Sequence, residues 1–150
     1  MRGGCLLISN SIGSKRTSVA DAFLDSNVLI YLMSRGAKAA RSRDLIDRGG
    51  VLSVQVLNEF VSVARGKLDL DWDEIREILG TIQLVCRIEP LLLSTHVRGL
   101  AIAQRYGFHI YDSMILAAAL EAECTTVFSE DMQHGQRIET LTIRNPFVTL

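Results

Sequence analysis

Four acidic residues stand at the ends, or on the inward-facing positions, of apolar segments: Asp25 in AFLDSNVLIY, Glu59 in VLNEFVSV, Asp112 in HIYDSMILAAAL and Asp131 in TTVFSEDMQHG. Carboxylates so placed do little for solubility. Gathering several of them builds a repulsive cluster that persists only with a cation or with raised pKa values. Oxygen ligands of this kind suit Mg²⁺, which takes octahedral coordination from one or two carboxylates, waters and substrate phosphates. Three or four acids on separate elements would hold one ion, or a pair about 3.5–4 Å apart, and polarise a phosphodiester towards attack by water. The chemistry implied is hydrolytic phosphoryl transfer.

Each acid also has a plainer reading. Asp25 follows a short buried run and precedes a helical one, so it can cap a helix and also stand at a strand's carboxyl end, where α/β folds place ligand-binding groups. Glu59 shares the i, i+4, i+7 stripe of Val56, Phe60 and Val63, which turns it towards the core or a cleft rim; the alternative is an ion pair with Arg65. Asp112 shares the inward face of Ile115, Leu116 and Ala119, or serves only the orphan amides of a helix's first turn. Asp131 lies in a polar turn beside Glu130, and spacing does not say which of the two faces a site. Asn27 and Ser129 add neutral oxygens nearby.

Alternating periodicities supply the elements that must position these groups. Strands are expected at residues 22–24, 51–54, 84–88, 126–129 and 141–143. Helical spacing follows Asp25 through Val28, Leu29, Leu32 and Met33, and further helices are expected over residues 37–48, 55–66, about 71–83, 94–106 and 111–123. Gly49-Gly50 and Gly107 are helix stops, and Asp71-x-x-Glu74 is a capping box. This alternation predicts a three-layer α/β/α sandwich around a mostly parallel sheet of four or five strands, with the active edge at the strands' carboxyl ends.

A chain of 150 residues with 48% hydrophobic and 22% charged residues is globular, about one domain long, and large enough for a sizeable core. Residues 1–20 read as a flexible Ser- and Gly-rich extension or as sequence upstream of the true start, and residues 21–150 as the domain. The net charge is −1; the 13 basic residues beyond position 20 (16 less Arg2, Lys15 and Arg16) face 17 acidic ones, leaving the body at about −4. Bulk charge therefore does not predict a polyanionic substrate. Arg35, Lys38, Arg41 and Arg43 form a local basic cluster, either a solvated face or an RNA contact. Cys5, Cys86 and Cys124 lack CxxC spacing and read as thiols in a reducing compartment. The Cys5–Ile8 run is too short for a secretory core, no run reaches the roughly 18 apolar residues of a membrane span, and a cytoplasmic protein is expected.

Other chemistries fall away. Asp69, Asp71 and Asp73 resemble an EF-hand opening, but Glu74 and Gly80 occupy the positions that need Gly and Glu. His96, His109 and His134 lack metal-ligand spacing. No GxSxG or GxxxxGK[ST] segment occurs. A haloacid-dehalogenase-type phosphatase needs DxD where this chain reads Asp25-Ser26-Asn27.

The segments FLDSNVLIY, VLNEF, YDSMILAAAL and FSEDMQHG resemble, in order and spacing, the four signature segments of the PIN domain, especially the small toxins of VapBC-type toxin–antitoxin systems. The likeness runs from residue 22 to about 147. It implies that Asp25, Glu59 and Asp112 are the three near-invariant acids, that Asp131 is the more variable fourth, and that Ser129 and Asn27 are supporting positions. It also implies an endoribonuclease dependent on Mg²⁺ or Mn²⁺, leaving a 5′-phosphate, with RNA as substrate, frequent homodimerisation and a small antitoxin partner. Two rivals share the fold: a PIN-like module that binds RNA or protein without catalysis, and a chromosomal RNA-maturation nuclease.

Overall fold

A computed structural model describes residues 22–149 of the chain; the expected N-terminal extension lies outside the described residues. Six strands form one sheet: β1 (Ala22–Leu24), β2 (Val51–Ser53), β3 (Arg87–Glu89), β4 (Thr126–Phe128), β5 (Arg137–Ile138) and β6 (Leu141–Arg144), in the order β3-β2-β1-β4-β6-β5. Every neighbouring pair is parallel except β5–β6. The mixed α/β class with a mostly parallel central sheet is the one expected, with the two-residue β5 as a sixth strand. That strand is too short to leave a periodic signal and exists only as an antiparallel partner of β6.

Among the described residues six helices accompany the sheet: α1 (Ser26–Tyr31), α2 (Ala37–Asp47), α3 (Val54–Gly66), α4 (Trp72–Val85), α5 (Leu93–Tyr106) and α6 (Ile110–Glu121). Ala22, Phe23 and Leu24 are all fully buried although successive strand side chains point to opposite faces, so the sheet is covered on both sides. The α6 helix is apolar all round, with Ser113 to Leu120 buried, and it packs on β2, β4 and β6. Its approach to α5 needs Gly99, where a Cβ would come 2.7 Å from Met114 Sδ.

The expected strand over residues 84–88 is corrected: α4 continues through Val85, and pairing starts at Arg87. Leu84 and Val85 look like strand core in sequence, yet they end the helix on the surface, 87% and 46% exposed. The start of α4 is as anticipated. The Glu74 N–H donates to Asp71 Oδ1 and the Asp71 N–H to Glu74 Oε2, both at 2.8 Å. Among the described residues, no helix is long and apolar enough to cross a membrane.

The central strand β1 has β2 on one side and β4 on the other. Chain connections leave in opposite directions at β1 and β4, and in open α/β sheets ligands bind in the crevice beyond the carboxyl ends of such a pair. Asp25 ends β1, and Ser129 to Asp131 follow β4.

Candidate active site

Asp25 is 1% exposed and does two jobs at once. It caps α1, its Oδ1 accepting the Ser26 N–H at 2.6 Å, and its own N–H donates to the Phe128 carbonyl of β4 at 3.0 Å. Its Oδ2 accepts the Ser129 hydroxyl at 2.6 Å and the Asn27 amide at 3.3 Å. Burial pushes the carboxyl up to about 7; the Ser129 and Ser26 hydrogen bonds oppose the rise, and the charges of Glu59 and Asp131 add to it.

Glu59 reaches the same place from α3. Its Oε2 accepts the Ser26 hydroxyl and its Oε1 the Gln55 amide, each at 2.8 Å. The alternative partner Arg65 is engaged elsewhere, donating to the Leu70 carbonyl at 2.7 Å and lying 5.0 Å from the Trp72 ring centre. Asp112 stands in the first turn of α6, but the cap of that helix is His109, whose Nδ1 accepts the Tyr111 N–H at 3.3 Å. Partial burial raises the Asp112 carboxyl, the charges of Glu59 and Asp131 raise it further, and His109 partly offsets them.

The two adjacent acids of the β4 turn go different ways. Asp131 Oδ2 accepts the Asn27 amide at 3.2 Å, and the Asp131 N–H donates to Ser129 Oγ at 3.2 Å. Glu130 accepts from Lys38 Nζ and from the Tyr31 hydroxyl. Burial alone would raise the Glu130 carboxyl, but the Lys38 and Tyr31 hydrogen bonds and the Lys38 charge leave it below its ordinary value. Asn27 joins both sides, its amide donating to Asp25 and Asp131 and its Oδ1 accepting the Glu130 N–H at 3.4 Å.

The fold thus brings Asp25 and Asp112 each within Coulombic reach of Glu59 and Asp131, with Asn27 and Ser129 bonded to Asp25. Two further residues take part: Ser26, which touches Asp25 and Glu59, and Gln55, one helical turn before Glu59. The sequence signals were adjacency for Ser26 and i, i+4 spacing for Gln55. Among the described residues, no three His, Cys, Asp or Glu side chains close on one point. Instead, the carboxylates of Asp25, Glu59 and Asp131 turn to hydroxyl and amide donors. The donor set is nevertheless hard oxygen throughout, and burial first and the charges of Glu59 and Asp131 second raise Asp25 and Asp112, carboxyls whose ionised form a divalent cation would favour, so the residues fit such an ion in type.

Ser129 offers a direct test of this electrostatic picture. Its hydroxyl does most to hold the Asp25 pKa down. Ser129→Ala should therefore cost about 1–3 kcal/mol at pH 8 in urea unfolding, with a smaller loss at pH 5.5 where Asp25 is protonated, and Ser129→Thr should restore the donor. Equal losses at the two pH values would contradict it.

Comparison with known proteins bears on the family and the fold. The PIN domain matches residues 22–137. The chain superposes on a toxin–antitoxin complex from Klebsiella pneumoniae with a TM-score of 0.66 at 17% identity, covering 84% of this chain and 98% of that one. It also superposes on VapBC2 from Rickettsia felis bound to a DNA fragment from their promoter, with a TM-score of 0.60 at 16% identity and coverage of 83% and 97%. A third is Mycobacterium tuberculosis VapC20, described as a Sarcin-Ricin loop cleaving toxin, with a TM-score of 0.57 at 14% identity and coverage of 72% and 88%. No curated protein matches the chain.

Proposed function

The chain belongs to the PIN domain family, and from that premise we propose that it is a divalent-metal-dependent endoribonuclease, the toxin of a VapBC-type pair. The observation that carries the reading is that Asp25 and Asp112 each lie within Coulombic reach of Glu59 and Asp131, with both of their carboxyls raised by burial and further by those charges. Asp25, Glu59 and Asp112 would hold Mg²⁺ or Mn²⁺, with Asp131 completing the set. Such an ion, when bound, neutralises the cluster, polarises a phosphodiester and makes water a better nucleophile near neutral pH.

The chain's own groups fix the acids. The Ser26 hydroxyl donates to Glu59 at 2.8 Å and lies 3.4 Å from Asp25 Oδ1, which links the α3 carboxylate to the end of β1. Ser129 and the Ser26 N–H hold the two oxygens of Asp25 from opposite sides, which leaves the side chain one orientation. Asn27 spans Asp25 and Asp131 and keeps the β4 turn against α1. Preorganisation of this kind spares reorganisation when substrate arrives.

A small antitoxin partner is supported by the toxin–antitoxin complex among the structural relatives. Homodimerisation and a cytoplasmic location belong to the same reading. A short open reading frame upstream encoding a DNA-binding protein would favour the toxin over a maturation nuclease.

The test is cleavage of end-labelled RNA with Mg²⁺ or Mn²⁺, with EDTA, and with Asp112→Asn. EDTA should abolish cleavage, and the variant should lose about 10²–10³-fold or more. Undiminished cleavage by Asp112→Asn would end the proposal.

A further inference from the structure

The basic cluster of the sequence does not act as one face. Arg41 donates to the Pro146 carbonyl at 3.3 Å and pairs with Asp44 at 3.1 Å, and Arg43 lines an apolar groove with Leu32, Ile46 and Ile78. Lys38 instead extends from the first turn of α2 to Glu130, the residue next to Asp131. Its Nζ also lies 3.1 Å from the Tyr31 hydroxyl, 4.6 Å from that ring's centre and 5.6 Å from the centre of Phe147.

Helix stability does not explain a lysine here. A cation in a first turn opposes the helix dipole, and Gly36 provides no side-chain cap. Lys38 therefore brings positive charge to Glu130, the neighbour of Asp131, beside a site whose other charges are carboxylates. Repulsion between those carboxylates and a phosphate backbone is the main obstacle to RNA binding, and a placed cation is the simplest remedy. The Lys38 side chain is 40% exposed and that of Glu130 25%, so an incoming phosphate can reach the pair from solvent. The contact with Tyr31 keeps the ammonium group aimed at the site while it changes anions.

We propose that Lys38 contacts an RNA phosphate flanking the scissile one, and that Glu130 is the internal anion holding Lys38 in place until RNA displaces it. This rests on the endoribonuclease reading for the substrate class. Lys38 is thus a substrate-binding residue, and Glu130 a positioning residue that acts through it by competing with RNA.

The experiment combines steady-state cleavage with fluorescence anisotropy of a labelled single-stranded RNA in EDTA, across a range of salt concentrations, for wild type, Lys38→Met, Lys38→Arg and Glu130→Gln. Lys38→Met should raise KM about fivefold with kcat within twofold. It should also flatten the slope of log affinity against log salt by about 0.7, the share of one phosphate contact on a single strand. Lys38→Arg should restore both, and Glu130→Gln should tighten binding about threefold by removing the competing anion. Unchanged KM and salt slope in Lys38→Met would overturn the proposal. So would weaker binding in Glu130→Gln together with a lower melting temperature in both variants, which is the signature of a purely structural pair. Wild type that binds RNA in EDTA with the expected slopes but never cleaves it defeats the nuclease reading and leaves this one standing; wild type that does not bind RNA defeats this one.

Discussion

Asp25→Asn is expected to abolish RNA cleavage, by about 10³-fold or more, while making the metal-free protein more stable. The two effects share one cause. At pH 8 the buried carboxylate is ionised although its folded pKa stands at about 7 against an ordinary 3.8, and such a displacement corresponds to about 4 kcal/mol of unfavourable folding free energy. Asparagine keeps an oxygen for the Ser26 N–H and carries no charge to desolvate, but it places an amide where Oδ2 receives donors from Ser129 and Asn27. Ser129 can rotate to accept; Asn27 cannot, so only part of the penalty is recovered. A net gain of about 2 kcal/mol would raise the midpoint of thermal unfolding in EDTA by about 4–8 °C. Melting curves in EDTA at pH 8, beside the cleavage assay, read both effects. A variant that melts below wild type would show that the hydrogen bonds at Asp25 outweigh its desolvation.

The same residues show what the sequence could and could not disclose. Asp25, Glu59 and Asp112 were legible because each interrupts an apolar period that has a definite direction: a strand end, or an inward helix stripe. Asp131 was not, since a turn has no period. The choice between it and Glu130 depends on contacts with Asn27, Lys38 and Tyr31, which lie 92 to 104 positions away. Ser26 was passed over for the opposite reason, because its neighbour Asp25 already accounted for the local pattern. In the fold, the helices and the four inner strands followed from periodicity and capping. The errors fell at the sheet's margins, where Leu84 and Val85 are apolar without being buried, and where β5 owes its existence to pairing with β6 and not to its own composition.

Protons and divalent cations should compete for this site, and the competition fixes the direction of every pH effect. Because the folded Asp25 carboxyl titrates near 7 and the unfolded one near 3.8, the native state binds more protons than the unfolded state between those values. This group's contribution to metal-free stability therefore rises as pH falls from about 8 towards 5, and is lost as pH rises through 7. Asp112, also raised, acts in the same direction. A cation needs the deprotonated form, so its apparent affinity should run the other way, falling about tenfold between pH 8 and pH 6 as one proton must leave Asp25, and further if Asp112 must also ionise. Titration calorimetry with Mg²⁺ or Mn²⁺ at pH 6, 7 and 8, in two buffers of different ionisation enthalpy, measures both the affinity and the protons released. About one proton or more should be released at pH 6 and few at pH 8, and the thermal stabilisation by Mg²⁺ should be greater at pH 8. Asp25→Asn, having no proton there to lose, should flatten whatever dependence remains. Affinity and proton release that stay constant from pH 6 to 8 in the wild-type protein would mean that the cation does not bind at Asp25.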